Sequence, residues 1–161
     1  MEIKWADYTF GGKGGSDKPG LLGTGHSGSI REEGGQTFVD VADRAHFQRE
    51  RFTLDGKHVA TLQLPEGSLV CNIFYDGDWA VASCLDGPDR SKGAPIYIMY
   101  KDKIVHTLIA REEFGLSNFT HIHGAAIRIV EQTPGKIVLA LRAQAWNPGG
   151  VAGWKLTATV K

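Results

Sequence analysis

Arg51-Phe52-Thr53-Leu54-Asp55-Gly56-Lys57-His58-Val59-Ala60-Thr61-Leu62 lies over Tyr97-Ile98-Met99-Tyr100-Lys101-Asp102-Lys103-Ile104-Val105-His106-Thr107-Leu108 without a gap. Lys57 matches Lys103, Val59 matches Val105, Thr61 matches Thr107 and Leu62 matches Leu108, a constant offset of 46 residues (103 − 57, 108 − 62). Each copy reads strand, short polar turn, strand, which is the pattern of a β-hairpin. Asp55-Gly56 and Lys101-Asp102 are turn pairs of the kind that accept a positive φ.

Working outward, each hairpin is preceded by two further strands. One covers 37–43 in the first copy and 79–85 in the second, with a third version at 136–142. Ahead of these stand short apolar strands at 26–30, 69–75 and 121–130, each closed by a polar turn: Glu32-Glu33-Gly34-Gly35, Asp76-Gly77-Asp78 and Gln132-Thr133-Pro134-Gly135. The unit is therefore four strands in about 45 residues, the size and make-up of a propeller blade. The third unit runs out after its third strand, and residues 2–10 are the candidate for its missing fourth. Three blades do not close a ring, which takes about four to eight, and an open set would leave sheet edges and apolar faces uncovered. The expectation is an all-β fold: a β-propeller with three four-stranded blades per chain. Residues 1–161 then form a single half-propeller domain, and a homodimer completes a six-bladed ring. A self-contained three-unit β-trefoil or sandwich is the alternative.

Composition agrees with an all-β chain. Glycine is the outlier, with 21 in 161 residues, clustered at 11–15, 23–28 and 147–153, and no window sustains the i, i+3, i+4 apolar period of a helix. Ala110-Arg111-Glu112-Glu113-Phe114 is the one place for a helical turn. The 18 basic and 18 acidic residues cancel, which removes the electrostatic case for nucleic acid or an anionic membrane as partner. No apolar run approaches the roughly 18 residues of a membrane helix, and the N-terminus has no signal-peptide core. The expected location is the cytoplasm or a larger assembly. Cys71 and Cys84 read as buried thiols, not as a disulfide or a metal pair.

The chemistry-bearing residues gather at the start of each unit's first strand and in the loops beside it. His26 and His123 stand at equivalent starts, and aligning the middle unit on Ile73 puts Leu69 at that place. Imidazoles from separate blades facing one channel would suit a divalent ion, zinc fitting best, with His121 as a neighbouring third candidate. The competing reading is channel histidines bonded to backbone carbonyls and water. In the neighbouring loops, Arg44 is the one candidate for a catalytic or carboxylate-binding group. His46, Arg90, Trp146 and Asn147 are further binding candidates, Trp146-Asn147 as a stacking platform for a sugar or peptide. His58 and His106 fall on outer strands and read as solvated, while Phe47, Trp79 and Tyr97 read as packing between blades. Neither a phosphate-binding glycine loop ending in GK[ST] nor a serine-nucleophile motif occurs.

Gly25-His26-Ser27, Val41-Ala42-Asp43-Arg44, Phe52-Thr53-Leu54-Asp55-Gly56-Lys57, Ile122-His123-Gly124-Ala125 and Gly135-Lys136-Ile137 resemble the blade signature of NHL-type six-bladed propellers. Among those, they are most similar to the peptidyl-α-hydroxyglycine α-amidating lyase domain. That resemblance, over roughly residues 23–160, implies histidines from different blades holding zinc in the central channel, with an Asp-Arg pair on the same face. Gly25 and Ile122 stand where that family has proline, and the chain is half the family's length. Two functions follow as expectations. One is a ligand-binding or assembly module with a histidine-lined channel, partnered by itself and by a small molecule, peptide, sugar, virion or surface assembly. The other is a metal-dependent, lyase-like enzyme for a small carboxylate- or peptide-type substrate.

Overall fold

The four-strand units of the sequence are separate antiparallel sheets in a computed structural model that describes residues 1–2 and 9–159. The first sheet is β1 (Gly25–Glu33), β2 (Gln36–Asp43), β3 (Gln48–Thr53) and β4 (His58–Gln63). A second comprises β5 (Val70–Asp76), β6 (Trp79–Cys84), β7 (Ile96–Tyr100) and β8 (Lys103–Leu108). The third has β9 (Ile122–Thr133), β10 (Lys136–Ala145) and β11 (Gly150–Thr159). Each is a meander whose spatial order is its chain order. Among the described residues no strand of one sheet pairs with a strand of another, so no closed barrel of the trefoil kind forms. The one α-helix among the described residues, α1 (Ala110–Phe114), falls on the one segment expected to be helical and is far too short to cross a membrane. Residues 3–8, most of the expected 2–10 strand, lie outside the described residues.

Tight turns set the meanders. Gly34 (φ 58°) and Gly35 (φ 76°) put both central residues of the β1–β2 turn in the left-handed region, the geometry that matches the twist of a two-residue hairpin. Lys101 (φ 49°) and Asp102 (φ 61°) adopt the same geometry between β7 and β8 without glycine.

The gapless repeat needs one correction. β4 and β8 do correspond at an offset of 46, and each carries a bulge at the matching valine. Arg51↔Ala60 is followed by Phe52↔His58, skipping Val59, and Ile98↔His106 by Met99↔Ile104, skipping Val105. The preceding strands correspond at 47, since Arg51 pairs opposite Ala60 where Ile98 pairs opposite His106. One residue is lost in the turn, so Arg51 is equivalent to Ile98, not to Tyr97. In a strand, a one-residue slip exchanges the two faces.

The sheets stack face to face, with β5 packed between β1 and β9. Between the second and third sheets the core is apolar, built from Val81, Ile96, Ile98, Ile122, Ile127, Leu139 and Leu141. Val70, Ile73, Ala80, Cys84, Tyr97 and Met99 of the second sheet meet Ala42 and Leu64 between the first and second. Beside that smaller core lies a charged layer. Asp40 accepts from Arg51 Nε (2.7 Å) and Nη2 (2.8 Å) and from Arg49 Nη1 (3.3 Å). Asp102 accepts from Arg49 Nη2 (3.0 Å) and Arg31 Nη1 (2.8 Å), and Arg51 also reaches Glu33 (2.6 Å).

The outer faces carry a few exposed apolar residues, although Gln48, Glu50 and Phe52 of β3 on the first sheet's outer face are all buried. On the first sheet, Ile30, Val39 and Phe52 form one row across the strands. Phe52 is buried, with the Phe10 ring 5.0 Å away, but Ile30 is 62% exposed. At the other end of the stack, Val130 (55%) and Val151 (75%) of the third sheet are exposed.

Candidate metal centre

The first strand of each sheet, β1, β5 and β9, carries a β-bulge near its start, and the bulged residues are three side chains of types that can ligate a metal. In β1, Gly25 pairs with Asp43 and Ser27 with Ala42, leaving His26 unpaired. In β5, Val70 pairs with Cys84 and Asn72 with Ser83, leaving Cys71. In β9, Ile122 pairs with Ala145 and Gly124 with Gln144, leaving His123. A bulge takes its residue out of the ladder and re-aims its side chain, so three equivalent bulges on three stacked sheets turn their side chains toward one place. One ligand atom from each of His26, Cys71 and His123 lies within 4.8 Å of the others. The two imidazoles stand edge to face, 5.2 Å apart at 82°.

This corrects the alignment that placed Leu69 at the middle unit's start. The equivalent of His26 is Cys71, 45 residues on (71 − 26), close to the offsets of 46 and 47 between the later strands. The expectation of two buried free thiols holds. Both cysteines are buried and neither forms a disulfide, but only Cys71 belongs to the cluster.

The surroundings suit ligation. His26 Nδ1 lies 2.7 Å from the Cys71 carbonyl oxygen. A carbonyl only accepts, so Nδ1 carries the proton and Nε2 keeps a lone pair for a metal, the usual way a ligating histidine is oriented. The cluster opens into a hollow of about 360 Å³ that Asn72, Arg142 and Gln144 also line. Asn72 Oδ1 is buried without a hydrogen-bond partner among the described residues. Burial pushes the Cys71 thiol pKa up, while the charge of Arg44 pulls the other way. Two imidazoles and one thiolate are a donor set that zinc accepts, at about 2.0–2.1 Å to nitrogen and 2.3 Å to sulfur.

The remaining candidates fall on the same end of the sheets with different roles. Arg44 begins the turn Arg44–His46 after β2, close enough for its charge to act on Cys71, and its Nε is buried without a hydrogen-bond partner among the described residues. His46 Nδ1 sits 2.7 Å from Asp43 Oδ2. Asp43 in turn accepts from the backbone N–H groups of Gly23 and Thr24, so this pair braces the entry to β1. Arg90 is held by Asp86 (2.5 Å) and the Gly67 carbonyl (3.2 Å). Trp146 is exposed, its backbone N–H donating to the His121 carbonyl at 3.0 Å, and Asn147 is exposed beside it. His121 lies outside the donor cluster: it precedes β9, and its Nδ1 is 2.7 Å from the Leu85 carbonyl oxygen. His106 is exposed as expected. His58 is not simply solvated, since its Nε2 lies 2.6 Å from the buried Glu50 carboxylate, which also accepts from Thr61 and Gln48.

No family model matches the chain, and no curated protein matches it either.

Proposed function

We propose that this chain is half of a six-bladed β-propeller completed by a second copy. In that ring it serves as a ligand-binding or assembly module whose central channel holds a divalent metal on His26, Cys71 and His123. The observation that carries the reading is the equivalence of the three bulges, which puts one donor per sheet at one point, within 4.8 Å of the others. A random trio of residues has no reason to share a bulge position in three successive sheets.

Exposed apolar residues of the first and third sheets support the ring. They lie at opposite ends of the stack, and a two-fold axis brings the third sheet of each copy against the first sheet of the other. That covers Ile30, Val130 and Val151 in one step. The resemblance to NHL-type six-bladed propellers points the same way, as does the third sheet, which has one strand fewer than the others among the described residues.

Arg44 favours a second reading, metal-dependent lyase-like chemistry on a small carboxylate. Its unpartnered Nε beside Cys71 would hold the carboxylate, and a bound divalent ion would supply Lewis acidity.

Elemental analysis of protein purified without added metal, combined with sedimentation, tests the main reading. The expected result is bound zinc or a similar ion in a particle of about twice the 17.5 kDa chain mass. A metal-free protein whose melting temperature is unchanged by His26→Ala, Cys71→Ser and His123→Ala would remove the metal. A stable monomer would remove the ring.

A further inference from the structure

We infer that the hollow binds a phosphate-type dianion, with one oxygen on the open position of the metal and others on Arg142. This rests on the metal reading above and gives that site its ligand class.

The pairing of the arginines singles out Arg142. Six of the chain's eight arginines have a carboxylate oxygen within 3.6 Å. The two with none among the described residues are Arg44, whose charge acts on Cys71, and Arg142, which lines the hollow with the three donors. Strand register explains the placement. Arg142 and Gln144 share one face of β10, as residues two apart do, and pair with Ala126 and Gly124, just past His123. A Cβ at Gly124 would lie 3.6 Å from the Gln144 side chain, so Gln144 lies over the glycine that follows His123, and small Ala126 stands opposite Arg142.

Charge then selects the ligand. A zinc ion brings two positive charges, Arg142 one more, and the Cys71 thiolate one negative charge, with both imidazoles neutral as ligands. The loaded hollow carries two net positive charges, and no carboxylate is among its lining residues. Three protein ligands leave a tetrahedral zinc one open position. A monocarboxylate would match only half of the charge. A phosphate-type dianion matches all of it, reaches the metal with one oxygen and offers two more to the guanidinium fork. Ser27 and Gln144 line the same hollow and supply further O–H and N–H donors.

Equilibrium dialysis of inorganic phosphate against the zinc-loaded and zinc-stripped chain, with zinc measured in the same samples, tests this. The expected result is phosphate uptake that requires zinc and is at least about tenfold tighter than that of acetate. Arg142→Gln, a change at an exposed position, should keep zinc and bind phosphate at least about tenfold more weakly, and Arg142→Lys should recover only part of the loss. Either result with methyl phosphate supports the dianion: displacement of bound phosphate extends the site to phosphate esters, and no displacement confines it to the free ion. A zinc-loaded chain that takes up no phosphate, binds acetate as tightly, or is unaffected by Arg142→Gln overturns this inference and leaves the metal in place. A chain that holds no zinc overturns the metal reading and this inference with it.

Discussion

Replacing Asp40 by Asn tests the charged layer that sets the first two sheets, and with them His26 and Cys71, against each other. Three guanidiniums (Arg31, Arg49, Arg51) face three carboxylates (Asp40, Asp102, Glu33). Asp40 is fully buried and takes the bidentate contact from Arg51, whereas Asp102 and Glu33 are 29% and 49% exposed. Asp40→Asn keeps the shape but leaves one buried cationic charge without its counterion. Breaking a buried pair in this way costs about 3–5 kcal/mol, and Asn, which retains one acceptor, belongs near the lower end. With a urea slope of about 2 kcal/mol/M, the midpoint should fall by about 1.5 M at pH 7 at a fixed chain concentration. The pH dependence supplies an internal control. Burial acts to raise the Asp40 pKa, but the Arg51 hydrogen bond and the Arg49 charge outweigh it, and the net shift is downward. A depressed folded-state pKa contributes stability that is complete above the unfolded value, about 3.9, and is lost as pH falls through the lower folded value. The gap between the native chain and Asp40→Asn should therefore hold from pH 8 to pH 5 and close only below about pH 4. A gap under about 1 kcal/mol at pH 7, or one that closes between pH 8 and 5, would refute this account of the layer.

Other perturbations read separate features. Glu50→Gln should cost about 1–3 kcal/mol in urea unfolding, because buried Glu50 accepts from Thr61 and Gln48 and meets His58, and the variant leaves part of that set unmatched. Gly56→Ala and Gly135→Ala share a positive φ (85° and 79°), but a Cβ at Gly56 would lie 2.8 Å from the Phe10 side chain while one at Gly135 meets nothing within 4 Å. Gly135→Ala should therefore lose only about 1 kcal/mol of backbone preference, and Gly56→Ala measurably more in the same melt. Val151→Lys places a charge on the open face of the third sheet. It should leave the circular-dichroism spectrum unchanged and weaken the proposed dimer at least about tenfold in sedimentation, and unchanged association would remove this face from the proposed interface.

Most of the fold was legible because turns and alternation are local signals. Gly34-Gly35, Asp76-Gly77-Asp78 and Pro134-Gly135 mark the hairpins, and the β-branched and apolar blocks between them have strand length. The slip between Arg51 and Ile98 was not legible, since a turn can lose one residue without disturbing either flanking pattern. The layer of Arg31, Arg49 and Arg51 was hidden for a related reason. Charged residues in Gln48-Arg49-Glu50-Arg51 look like a solvated strand; Asp40 faces Arg51 across the first sheet itself, and only the packing of the second sheet buries the set and brings Asp102 to it. The expected seam strand at 2–10 lies mostly outside the described residues.

The site divides along the same line. His26 and His123 stand out in sequence because histidine is rare and the small residues after each repeat. Cys71 carries the same structural position but a different side chain, so similarity of residues could not align it. Aligning on apolar Ile73 counts strand residues as though each took one place in the ladder. A bulge breaks that count, since its extra residue occupies no place there, and all three units bulge where the donor stands. The informative comparison is therefore position relative to the partner strand: the residue before the donor pairs with Asp43, Cys84 or Ala145, and the residue after it pairs with Ala42, Ser83 or Gln144. On that count His26, Cys71 and His123 are one position occupied three times. In the proposed two-fold ring that position would recur six times.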